Sequence, residues 1–114
     1  MANAIISDGQ FKWRLMLCDS RGMPNEELGG VLDPTETEPG EIRIMATLPK
    51  FRTLETLFEE LFHTWEYSGR KAVSHDLIES LANHTARLFY NSPALVRLLI
   101  HLGGERCHAG KRSR

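Results

Sequence analysis

At 114 residues, with 41% hydrophobic and 25% charged side chains, the chain suits one domain with a buried core and is too apolar to remain disordered. A net charge of −1 supplies no global attraction to nucleic acid or to an anionic membrane surface, and no run of about 18 apolar residues is present to span one. Two cysteines do not make a disulfide framework: Cys18 lies in an apolar run and reads as a small buried hydrophobe, Cys107 in a Gly-rich tail. Met1 to Gln10 lacks a basic segment followed by an apolar one, so a cytoplasmic, reduced protein is expected. Charge is unevenly placed, with six acidic and no basic residues from Glu26 to Glu41, and Arg106, Lys111, Arg112 and Arg114 near the end.

Phe11 to Cys18 alternates in part, with Phe11, Trp13, Leu15 and Leu17 on one side, and reads as a strand buried on at least one face. Asp19 to Asn25 carries turn chemistry. Leu28 to Leu32 is a short Gly-containing strand stopped by Asp33-Pro34, and an acidic loop follows from Thr35 to Gly40. Glu41 to Ala46 alternates cleanly, Ile42 and Ile44 against Arg43 and Met45. Short turns between these segments predict a three-stranded antiparallel meander.

After Leu48-Pro49-Lys50 the period changes. Leu54, Leu57, Phe58, Leu61, Phe62 and Trp65 recur at helical spacing and predict a helix from Thr53, its N-cap, to Tyr67, with Phe58, Phe62 and Trp65 as core. A second helix starts at Ser74, with Leu77, Ile78, Leu81, Leu88 and Phe89 as its apolar face. Ser92-Pro93 opens a third, which Gly103-Gly104 is expected to end. The outcome is an α+β domain over residues 1–103 and a flexible basic tail over 104–114. The third helix is apolar over much of its circumference (Leu95, Val96, Leu98, Leu99, Ile100, Leu102), which suggests a weak homodimer.

The pentapeptide Glu59-Glu60-Leu61-Phe62-His63 carries the chemistry. Residues four apart on a helix lie one above the other, so Glu59 and His63 can grip one cation. In H-E-x-x-H both outer positions are histidine, and the inner glutamate takes a proton from water polarised by the metal. Here Glu60 holds the glutamate position and His63 the second histidine, while Glu59 replaces the first. A carboxylate binds Zn²⁺ but is harder and lowers the Lewis acidity of the metal. A third ligand is expected from the second helix: Glu79, or His75 one turn before it, with Ala82 and Ala86 letting the helices approach. The plainer reading places Glu55, Glu59, His63 and Glu66 on a solvated polar face. His84, His101 and His108 have no companion at useful spacing.

The order of these segments resembles short phage and bacterial proteins of zincin-like fold, related in architecture to the gluzincin and ImmA/IrrE-like metallopeptidases. The matching stations are Gly30-Val31-Leu32-Asp33, Ile42-Arg43-Ile44, Leu48-Pro49, Thr56 to His63, and Glu79-Ser80-Leu81-Ala82-Asn83. The resemblance implies a minimal metallopeptidase fold, with His63 as ligand, Glu60 as catalytic general base and Glu79 as third ligand. Glu59 departs from the pattern.

Two functional readings follow. The missing histidine favours a non-catalytic binding or regulatory module that has lost its metal. The alternative is an active zinc (or manganese) peptidase using Glu59, His63 and Glu79. For the peptidase an extended peptide partner is expected at the exposed sheet edge, assigned to Glu41–Ala46, by strand addition. For the binding module the acidic loop and the basic tail are the expected docking surfaces for a protein partner. No nucleic-acid or membrane partner is expected.

Overall fold

A computed structural model of the chain describes residues 3–19, 23, 30–33, 39–69 and 73–111. Strands β1 (Asn3–Ser7), β2 (Lys12–Cys18), β3 (Gly30–Asp33) and β4 (Gly40–Met45) precede helices α1 (Lys50–Gly69), α2 (His75–Asn91) and α3 (Pro93–Lys111). The α+β class is as expected.

The sheet is four-stranded and mixed, in the order β1-β2-β4-β3, which replaces the three-stranded antiparallel meander. β1 pairs antiparallel with β2, Ile6 opposite Trp13. β2 and β4 run parallel, with Leu15 opposite Ile42 and Leu17 opposite Ile44. β3 pairs antiparallel with the far side of β4. The reason lies in β4, whose Ile42 and Ile44 are wholly buried. The interior of the sheet is the place to bury such a strand, so β3 passes beyond it to the edge.

β1 falls in a stretch from which no strand is expected. Its hairpin is closed by local polar chemistry: Asp8 Oδ1 accepts from the backbone N–H groups of Gln10 and Phe11, each at 2.8 Å. Gly9, at φ +97°, supplies the left-handed residue that the turn needs.

Two clusters make the core. Trp13, Ile42 and Ile44 are covered by Ile6, Leu15, Leu17, Leu57 and Leu61, so α1 lies on the sheet. Cys18, Met23 and Met45 form the second, with Met16 and Leu48 packed against it, and Cys18 is the buried thiol expected.

α1 begins before Thr53, because the Thr53 amide already donates to Pro49 O at 2.9 Å, and its hydroxyl donates to Leu48 O at 3.1 Å. α2 starts as expected, with Ser74 Oγ accepting from Leu77 N at 3.0 Å. Its buried face is Ile78, Ala82 and Ala86, whereas Leu77, Leu81 and Leu88 are exposed. Trp65 is exposed as well, and of the expected aromatic stripe Phe58 and Phe62 are half-buried, Phe58 stacked near Phe62 and tilted against Phe89, ring centroids 5.0 Å apart in the second pair. α3 continues through Gly103 and Gly104 to Lys111, so the expected tail is helical over 104–111. Each glycine there costs about 1 kcal/mol relative to alanine, which a helix that is already nucleated absorbs. No helix is long and apolar enough among the described residues to cross a membrane.

Candidate metal centre

Three layers follow from this packing: sheet, then α1, then α2. Apolar residues of α1 cover the sheet, and its polar arc turns toward α2. The buried alanines Ala82 and Ala86 on α2 let the helices approach. The polar arc is therefore not a solvated face. Side chains of Glu55, Glu59 and His63 are only 17%, 19% and 21% exposed. Glu55 fastens the helices together, accepting from Asn83 Nδ2 at 2.6 Å and pairing with Arg52 one turn back. The Asn83 hydrogen bond, aided by Arg52, holds the Glu55 carboxyl below the usual carboxylate range against the opposing effect of burial.

Glu59 and His63 lie one turn apart on α1, and His75 opens α2 across from them. One ligand atom from each falls within 4.8 Å of the others, a spacing at which a single cation can be shared. The imidazoles of His63 and His75 lie nearly parallel, centroids 5.6 Å apart and planes 22° apart. His75 Nε2 is 3.8 Å from Glu59 Oε1. Glu59 and His63 thus meet as their spacing implies.

Glu79 stands outside the converging group, and the third place goes to His75, the alternative. Both residues share one side of α2, and Glu79 Oε1 instead contacts His75 Nε2 at 3.0 Å. The difference alters the donor set. Glu59, His63 and Glu79 would give one imidazole and two carboxylates; Glu59, His63 and His75 give two imidazoles and one carboxylate, a composition that catalytic zinc sites use.

Glu60 points the other way round α1 and is 9% exposed. Its Oε2 is buried with no hydrogen-bond partner among the described residues. Burial pushes its carboxyl above the usual range, opposed by the nearby charge of His63 and of His75 and assisted by Glu59. The same side chain packs against the sheet edge. A Cβ built on Gly30 in β3 would lie 2.7 Å from Thr56 Cγ2 and 3.0 Å from Glu60 Cγ, so only glycine lets β3 come this close to α1.

Two further features escape sequence reasoning. His63 Nδ1 is 2.6 Å from Glu66 Oε1, a contact foreshadowed only by their i,i+3 spacing on the polar arc. A polar groove of about 340 Å³, lined by Arg52, Glu55, Glu59, Glu79, Ser80 and Asn83, runs along the helix pair and reaches the site at Glu59.

Comparison with protein-family models, with curated proteins and with solved structures returns no match to the chain. The zincin-like resemblance therefore stays an expectation drawn from motif order.

Proposed function

We propose that this protein is a divalent-cation-binding module, of the metallopeptidase-like kind that the motif order suggests, with zinc as the best-suited ion. Glu59, His63 and His75 would hold it, and the cation would supply Lewis acidity at the end of the polar groove. The supporting observation is the convergence of three ligand atoms from two helices within 4.8 Å. Their chemistry fits: two imidazoles and a carboxylate suit a borderline cation better than the all-oxygen sets chosen by calcium or magnesium.

The test is elemental analysis of tag-free protein after exposure to Zn²⁺ or Mn²⁺ and desalting, followed by thermal melts. Stoichiometric metal is expected, with stabilisation of about 2.7 kcal/mol when free zinc is a hundred times its Kd. His63→Ala is expected to abolish both effects, and His75→Ala to reduce them strongly. Less than one-tenth of an equivalent in the wild-type protein would sink the reading. Uptake should also weaken as pH is lowered, because the imidazoles must be unprotonated to bind.

A second reading, peptide hydrolysis, draws support from Glu60. This buried acid follows a ligand directly in sequence and lies within electrostatic reach of all three. Its carboxylate would hold or move a proton. An extended peptide would be held at the outer edge of β3, not at Glu41–Ala46. β4 is hydrogen-bonded on both sides and has no edge to offer. Zinc-loaded protein incubated with a random peptide library separates the readings: cleavage that Glu60→Gln removes while metal content is kept favours hydrolysis, and no cleavage leaves the binding module.

A further inference from the structure

The two histidines of the site differ in how they are held. His75 is 61% exposed, and its contact with Glu79, itself 55% exposed, lies in solvent, where such pairs contribute little. His63 and Glu66 are 21% and 31% exposed, and Nδ1 meets Oε1 at 2.6 Å, a short hydrogen bond. A carboxylate offers only acceptors, so the hydrogen in that contact must sit on Nδ1 of His63. In a neutral imidazole the lone pair then lies on Nε2.

We infer that Glu66 is the positioning residue of the site: it fixes His63 in the Nδ1–H tautomer and so presents Nε2 as a ready ligand toward Glu59 and His75. The inference rests on the cation-binding reading and adds to it an order of assembly. Glu59 and His63 form a preset pair on α1. His75, 61% exposed at the first residue of α2, closes on the ion afterwards. The carboxylate removes the ring rotation that His63 would otherwise have to give up on binding. Supporting partners of this kind are worth about 10–100-fold in metal affinity.

The experiment uses the full chain and two readouts. Long-range ¹H–¹⁵N correlation spectra of metal-free protein at neutral pH report the tautomer of each histidine. Competition against a chromophoric chelator reports zinc affinity. Wild-type His63 is expected in the Nδ1–H form, and in Glu66→Ala it becomes a mixture with the Nε2–H form. Zinc affinity in that variant is expected to fall about 10–100-fold. Glu66→Gln keeps an acceptor oxygen and is expected to fall between the two, which preserves the test should the alanine variant fold poorly. Glu79→Ala is expected to lose less than Glu66→Ala. An Nε2–H tautomer at His63 in the wild-type protein, or zinc bound as tightly by Glu66→Ala as by wild type, overturns the assignment. A wild-type chain with Nδ1–H at His63 and no zinc uptake overturns the cation-binding reading instead.

Discussion

The α1–α2 pair and α3 are built from similar apolar inventories and end in opposite situations. α2 hides Ile78, Ala82 and Ala86 and leaves three leucines in solvent; α3 leaves Leu98, Leu99, Ile100 and Leu102 exposed, Ile100 at 70%. Hydrophobicity does not decide which residues of a helix are buried. The partner does, and a partner at close range selects small side chains. That close range also gives the polar arc of α1 its importance, since Glu55, Glu59 and His63 are partly shielded only because Ala82 and Ala86 let α2 come near. Among the described residues no small-residue face of this kind meets α3, and Leu98, Leu99, Ile100 and Leu102 stay exposed.

The sharpest way to break this contrast is to truncate one isoleucine in each region. Ile78→Ala should cost about 2–5 kcal/mol in denaturant melts, as for a well-packed core residue. Ile100→Ala should stay within about 0.5 kcal/mol, as for a surface position. Equal losses would mean that α3 is covered in solution and that the contrast is false. A smaller effect is expected at the sheet edge. Gly30→Ala forces a methyl against Thr56 and Glu60 and should cost about 1–3 kcal/mol, part of it recovered in Gly30→Ala/Thr56→Ser, which removes the nearest clashing atom. No recovery would place the strain elsewhere.

Smaller again is the tie between α1 and α2. Asn83→Ala removes the hydrogen bond to Glu55 and should cost about 1 kcal/mol at neutral pH. Glu55 has its folded-state pKa lowered from an ordinary 4.5, so its contribution is complete above that value and lost as pH falls through the lowered one. The gap between wild type and Asn83→Ala should therefore close in acid. Glu60, whose pKa is raised, acts in the opposite sense but equally in both proteins. A gap that persists unchanged at pH 2 would remove Glu55 from the account.

Much of the helical half could be read from residue spacing. The Ser74 cap, the start of α3 at Pro93 and the close approach at Ala82 and Ala86 all follow from local rules, and so does the Glu59–His63 pair. The strand order could not, because pairing β2 with β4 is a long-range choice and each strand alone alternates equally well in a meander. β1 left one faint signal, the Asp8-Gly9 dipeptide, with too few apolar residues around it to mark a strand. The choice between His75 and Glu79 was beyond sequence as well. They are one turn apart on the same side of α2, and only the relative position of two helices distinguishes them. Glu66 was visible on the polar arc, but an arc does not reveal which of its members touch.

One residue, Ser92, separates α2 from α3, at φ −130° and ψ 77°, a backbone outside the helical region that the following proline favours. The bearing of α3 thus depends on a single joint. At 1.5 Å per residue its 19 residues form a lever arm of roughly 28 Å, so a 30° turn at Ser92 would carry the tip through roughly 15 Å. A modest torsional adjustment there would redirect the apolar flank of α3 while leaving the Glu59–His63–His75 geometry undisturbed.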